Sequence, residues 1–586
     1  MAHSNMLISA AGATLAAMLA VQPAMAQTVA SNDAPPMSPL LVGDEDPQAS
    51  GPTDMYGRPE EPREARANGR SSRNGPAHPR VRVSPYIEVG QVVTGELSRG
   101  GDVLTYSTVA VGVESSISTR RAQAAVDLRY ERRISWDDPV LNNNVVSGMA
   151  RGRYDLGMGV SMEAGGLASR ASVDGRGGGA NFNVGDRTNT SNIYAIYAGP
   201  TFGGRVGELE VGGGYRFGYS RSDIESAPVL STGATTVGSF DESTNHAVFT
   251  SVGMSPGRLP FGWRVSGAAE RENAGQLDQL YTSYMGRLDV TYPITPTVAL
   301  LGGVGYEHIQ LSQAQALLTT GGVPVVDGNG RLVSDGTRPR QIAFETDGLI
   351  YDAGVMWRPN RRMMVEARVG RRYGDTSYTG SATWQASQTT GYQLGIYDSL
   401  STVGRQLTAG LAALPTDFNS YRNPVDGSIG GCGFGSSGGQ CFNSTLSNAS
   451  GFAYRNRGAV LSMSSTMRPW NIGVALGYDR RTYVANGIVG IAGLDGAVDQ
   501  TFFSTITASR QLSERTTLGT SIYGTWFESG LPGGVDSFTT GGSAALSHTF
   551  LPRLTGNAAV SVNMIDQEGF NNRVYGSALL GMRYSF

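Results

Sequence analysis

The sequence predicts an all-β chain: an antiparallel, up-and-down transmembrane β-barrel of about 22 strands, with 20 or 18 as the even-numbered fallbacks, over residues 81–586. Three observations predict it. Apolar residues fall on alternate positions through repeated segments of about 10 to 16 residues, longer than the ~5–6 usual for soluble strands. Tight turns near 119, 157, 203, 257, 294, 359, 387, 468, 513 and 551 alternate with hydrophilic loops near 136, 174, 224, 314, 403 and 485. Tyrosine and tryptophan collect near segment ends, as at Tyr130, Trp136, Tyr215, Tyr219, Tyr292, Tyr373, Tyr478, Tyr483 and Tyr584, where an aromatic girdle would meet the membrane interface.

Composition agrees with one large sheet. The chain has 586 residues, 81 glycines, a formal charge of −3 and only 16% charged residues, against roughly 25% in ordinary soluble proteins. Beyond the N-terminus there is no apolar run of the ~18 or more residues that a spanning helix needs. Near-neutral charge gives no reason to expect a nucleic-acid partner. Every basic side chain is arginine, since the sequence holds no lysine.

Residues 1–26 read as a secretory signal, with an apolar core from Met6 to Val21 and an Ala24-Met25-Ala26 cleavage signature. Residues 27–80 are rich in proline, glycine and charge, and their few apolar residues cannot offset the cost of ordering the backbone. They form a disordered periplasmic linker, too short to fill a wide barrel as a plug domain, so an active transporter of the TonB-dependent kind is disfavoured.

Alternation assigns faces in the barrel. In "RAQAAVDLRYERRISW", Ala122, Ala124, Val126, Leu128 and Tyr130 face outward and leave Asp127, Arg129, Glu131 and Arg133 facing the lumen. The same reading places Arg216, Arg264, Glu270, Arg287, Asp289, Glu307, Glu366, Arg368, Arg372, Asp479 and Arg481 inside. Both signs are present, so these charges either pair across strands in a solvated wall or line a polar conduit; neither arrangement favours strong ion selectivity. Cys432 and Cys441, alone in an exported chain, are expected to form a local disulfide.

The long loop of roughly 403–455 has features of its own. Leu407, Leu411 and Leu414 recur at helical spacing before Pro415, which predicts a short amphipathic helix. Two placements stay open: across the rim as a cap, or inward as a constriction.

Catalytic and metal signals are weak, and no enzyme activity, cofactor or metal is expected. Gly435-Ser436-Ser437-Gly438-Gly439 matches a nucleophile-elbow spacing but lies in a glycine loop without the strand-to-helix turn that motif requires. His78, His246, His308 and His548 are scattered without ligand spacing.

The chain ends "SALLGMRYSF". Leu580, Met582, Tyr584 and Phe586 alternate to a terminal aromatic, which resembles the C-terminal signal of bacterial outer-membrane proteins. That resemblance implies recognition by the barrel-assembly machinery. Over 81–586, notably in "EARVGRRYGDTSYTGSATWQASQTTGYQLGIYD" and "ALLGMRYSF", the layout resembles the β-barrel porin families associated with exopolysaccharide production in Gram-negative bacteria. It implies an outer-membrane location with periplasmic termini, surroundings of outer-membrane lipid and lipopolysaccharide, and a passage for small hydrophilic solutes, with exopolysaccharide export as the narrower expectation. A structural or adhesive surface barrel without an open channel is the alternative, and an outer-membrane enzyme the next.

Overall fold

The computed structural model describes residues 80–98, 103–136, 144–172, 190–224, 240–327, 331–436, 438–447, 449–486, 493–530, 534–569 and 571–586. The signal sequence and linker expected over 1–26 and 27–80 thus lie, but for Arg80, outside the described residues.

Twenty-two antiparallel strands form one sheet, each paired with its neighbour in sequence order. The sheet closes on itself: the first strand, Arg80–Glu96, pairs with the last, Arg573–Ser585, with Tyr86 opposite Ser585 and Glu96 opposite Tyr575. Closure matters physically because an open edge would leave a row of N–H and C=O groups unpaired in hydrocarbon, at several kcal/mol each.

The pleat sorts side chains as the alternation requires. On the last strand Leu580 is 71% exposed and Met582 and Tyr584 are exposed with it, whereas Leu579 is buried on the lumen side. Elsewhere Ile522, Trp526, Leu546, Val560 and Val562 stand exposed on the outside. An apolar outer face on a closed barrel is the architecture of an outer-membrane protein. Among the described residues no helix is long and apolar enough to cross a membrane.

The ends of the barrel differ. At the end holding both chain termini the strands join through ten short turns, at the positions the sequence marked or within a few residues of them. The other end carries eleven connections, of which sequence reading picked out six. Among those missed is a two-residue hairpin: Arg372 pairs with Asp375 across Tyr373 and Gly374, at φ 56° and 75°, the left-handed pair that matches strand twist.

Two girdle assignments need correction. Tyr483 is buried inside, where its O–H donates to Asp499 at 2.7 Å. It shares parity with the inward Asp479 and Arg481, and strict alternation overrides the tendency of aromatics to mark the interface. Tyr373 sits in the tight turn and leans over the rim, accepting a hydrogen bond from the Leu400 N–H at 3.4 Å.

The connection between the strands Thr390–Ser401 and Tyr454–Ser465 does not cap the rim. It enters the barrel as helix α1 (Val403–Ala413), a three-stranded sheet (Asn419–Arg422, Ile429–Gly435, Gly438–Cys441) and helix α2 (Asn443–Ser447). Thr402 caps α1 by accepting from the Arg405 N–H at 3.3 Å. Leu407, Leu411 and Leu414 form its buried stripe, packed with Ile193, Ala195 and Tyr197 of the wall, Phe442 and Leu446. Gly438, in the glycine loop between the two cysteines, is buried here.

Candidate functional site

The candidate site is the lumen and the segment that occupies it. Residues 402–453 make contacts with several, widely separated parts of the wall. Arg422 donates to Asp127 at 2.8 Å, Asn443 and Thr505 share a hydrogen bond at 3.3 Å, and Ser462 donates to the Gly439 carbonyl at 3.1 Å. Val425 packs with Val92, Tyr106, Ala559 and Leu579, which belong to the strands at the barrel seam. Phe434 packs with Val460, Ala475 and Phe503.

Glycine permits the closest approach. A Cβ on Gly404 would come within 2.8 Å of the Ser220 Oγ and 2.9 Å of the Glu272 Oε1; one on Gly218 of the wall would lie 2.7 Å from Thr408 Cγ2. Contacts this tight leave α1 little room to slide along its side of the barrel.

The charged side chains assigned to the lumen lie on strand positions alternate to the exposed apolar ones, and most of them pair. Arg129 contacts Glu88 at 3.0 Å and Glu131 at 2.7 Å, and Arg133 contacts Glu131 at 2.8 Å. Arg133 also donates to the Asp426 carbonyl of the inserted segment. On the opposite wall Arg287 and Arg368 share Asp289 and Asp352, at 2.5 to 3.0 Å, and Arg368 adds Glu366 at 2.6 Å. Arg372 donates to Glu307 at 2.9 Å. Glu270 pairs with Arg405 of α1, whose guanidinium also lies 4.0 Å from the Tyr281 ring centre. Arg216 lies against the Tyr197 ring at 5.7 Å, and Arg264 is half-buried with its Nε unpartnered. Asp479 accepts from the Tyr397 O–H, and Arg481 stacks on Tyr454 at 4.6 Å while donating to the Ser444 carbonyl of α2.

Most of these charges are buried and paired. Removing one partner of such a pair costs about 3–5 kcal/mol, because the other is left buried and uncompensated. They therefore hold the wall and the inserted segment together more than they offer free charge to a solute.

Inside the inserted segment Asp426 is 1% exposed, its Oδ1 accepting from the Ser428 N–H and O–H at 2.9 and 2.7 Å and its Oδ2 unpartnered. Burial pushes its carboxyl above the usual range, against the pull of Ser428 and Arg133. Burial likewise raises the Tyr421 phenol.

Cys432 and Cys441 are joined as a disulfide across two strands of the inner sheet. Ser437 of the elbow-like motif lies outside the described residues, as does His78. His246 contacts Tyr215 at 2.7 Å, His308 faces Asp347 at 3.8 Å and His548 contacts Thr516 at 2.9 Å, three separate places on the barrel. Among the described residues no cluster of three or more His, Cys, Asp or Glu could hold a metal.

Sequence reading missed the partners from the inserted segment, Arg405, Arg422 and Tyr421, because they lie in a stretch without strand period. It also missed Asp352, which alternation from Gly354 and Met356 would have placed inside.

No family model matches the chain, and no curated protein matches it. Solved structures similar to it include the ferric-catecholate import receptor Fiu of E. coli K12 in its open form, at 11% identity over 86% of this chain and 81% of that one, TM-score 0.41. The siderophore receptor PiuA of Acinetobacter baumannii is similar at 9% identity over 85% and 82%, TM-score 0.39. The alcaligin outer-membrane receptor FauA of Bordetella pertussis is similar at 10% over 86% and 76%, TM-score 0.38. The barrel architecture is established by the strand pairing of the chain itself, and these likenesses add no function to it.

Proposed function

We propose that this chain is an outer-membrane conduit for hydrophilic solutes, held closed by its own segment 402–453. The observation that carries the reading is the position of that segment: a folded unit inside a wide barrel, bonded to opposite walls through Asp127, Glu270 and Thr505. A 22-strand wall cannot fill its interior with strand side chains alone, so the segment supplies the filling. Where it meets the wall, polar contacts such as Arg422 with Asp127 and Arg405 with Glu270 stand beside apolar packing, and the polar ones can be exchanged for water when a unit shifts. The narrower link to exopolysaccharide export has no support from similarity. A non-catalytic reading is supported by the separation of the described histidines.

A closed structural or surface barrel is the competing reading, favoured by the tight fit of α1 against the wall. Solute uptake by proteoliposomes separates the two. Replacing residues 404–453 by a short Gly/Ser linker should speed entry of small sugars and amino acids several-fold over the full chain. Equal, negligible entry by both proteins, each shown to be folded by heat-dependent gel mobility, would sink the conduit.

A further inference from the structure

One arc of the lumen carries no charge. On the strands Thr516–Glu528, Ser537–Leu551 and Leu554–Gln567 the outward positions are marked by Ile522, Trp526, Leu546, Val560 and Val562. The alternate, lumen-facing positions of these three strands hold no Asp, Glu, Arg or His. They hold serine, threonine, asparagine and a few apolar residues. On strands such as Ala122–Ser135 and Gln279–Thr295 the lumen face instead sets arginine beside carboxylate.

Across this arc the register lines up six hydroxyls in one rung. Thr507 lies opposite Ser521, Ser521 opposite Ser543, Ser543 opposite Ser561, Ser561 opposite Ser577 and Ser577 opposite Thr94. Their bonding is uneven. Ser521 and Ser543 are 3.0 Å apart and Ser577 and Thr94 2.8 Å apart, but Ser561 between them is 2% exposed and its Oγ has no partner. Nearer the loop end the buried Oγ1 of Thr539 is also unpartnered. A buried hydroxyl left without a partner is unfavourable.

The inserted segment already touches this rung with a hydroxyl of its own. The Tyr421 O–H lies 2.8 Å from the Ser543 Oγ. In the closed state the phenol thus stands where the hydroxyl of a solute would stand once the segment moves.

We propose that this rung is a binding subsite for a neutral, hydroxyl-rich solute, an oligosaccharide without charged groups, and that Tyr421 occupies it in the closed state. This rests on the conduit reading and names its cargo. Each serine or threonine hydroxyl can donate once and accept twice, and it rotates to suit. A row of them matches the mixed donor and acceptor pattern of a sugar chain whichever way the sugar's hydroxyls point. A charged sugar would lose hydration against groups that offer no countercharge, which is unfavourable.

The test uses two proteins, the full chain carrying Arg405→Ala and Arg422→Ala, which loosens the inserted segment, and the chain with residues 404–453 replaced by a linker. Each is incorporated in planar bilayers with maltohexaose as the neutral probe and a hexameric oligogalacturonate as the anionic one. Maltohexaose should interrupt the current in resolvable events, and the oligogalacturonate should do so at least several-fold less. Adding Ser543→Ala, Ser561→Ala and Thr539→Val should shorten the maltohexaose events several-fold, whereas Val560→Ala on the outer face should not. Equal events from both sugars, or events unchanged by the triple substitution, would overturn the subsite. Should neither protein conduct, calorimetric titration of the folded linker protein with maltohexaose decides: binding lost in the triple substitution keeps the subsite and removes only the conduit, and no binding overturns the subsite too.

Discussion

The wall and the segment inside it solve the same problem differently. Each wall strand satisfies its backbone through two neighbours, and its side chains need only sort themselves by parity. The segment 402–453 has no such repeat. It satisfies its backbone through two helices and a small sheet of its own, and it is positioned by individual contacts such as Arg405 with Glu270 and Arg422 with Asp127. The wall is held by a pattern repeated over 22 strands, and the segment by a handful of specific side chains. Substitutions should therefore separate the two: some loosen the segment and spare the barrel, others do the reverse.

The largest separation is expected at Arg405. Its guanidinium bonds Glu270 and the Leu400 carbonyl and stacks on Tyr281, with Glu272 close by at the Thr402 hydroxyl. Arg405→Ala leaves those carboxylates facing each other and should weaken docking of the segment by the lower end of about 3–5 kcal/mol, since Glu270 is partly hydrated. Hydrogen exchange should speed up across α1 and the inner sheet while the wall strands keep their protection. Uniform loss of protection would mean that wall and segment unfold as one unit.

Val560→Arg is the converse. It places a guanidinium at the middle of an outward-facing strand position and should cost the barrel about 2–4 kcal/mol at mid-membrane depth. The urea midpoint of unfolding in lipid vesicles should fall, and contacts of the segment should be lost only together with the wall. An unchanged midpoint would mean that this face does not meet lipid.

The smallest effect is expected at Asp426. Its carboxyl is held above the usual range by burial, so the folded state binds the proton more tightly than the unfolded one does. Docking is thus most favourable below about pH 4, the unfolded value, and weakens as pH rises through the folded value. Asp426→Asn should remove that slope and raise the thermal midpoint of the segment at pH 7 by a few degrees at most. A lower midpoint for Asp426→Asn at pH 7 would show instead that the charged carboxylate is stabilised in place, with Arg133 nearby.

The same contrast explains what could be read from the sequence. Parity along each strand gives both faces, and the ten turns give the strand count, because both depend only on neighbours in sequence. Tyr483 went astray where interface preference was allowed to outrank parity. The helix over Val403–Ala413 was legible from its leucine spacing. Its position inside the lumen was not, since Arg422 meets Asp127 across 295 residues and nothing local encodes that meeting. The six-hydroxyl rung was hidden for a related reason: serine and threonine are ordinary strand residues, and only the register of six strands brings them into line.

Single-channel conductance in planar bilayers tests the central claim, that the wall forms a passage and segment 402–453 closes it. The full chain should show rare, small openings. The folded chain with residues 404–453 replaced by a short Gly/Ser linker should conduct steadily at several-fold higher conductance. Equal conductance from the two proteins would contradict the account.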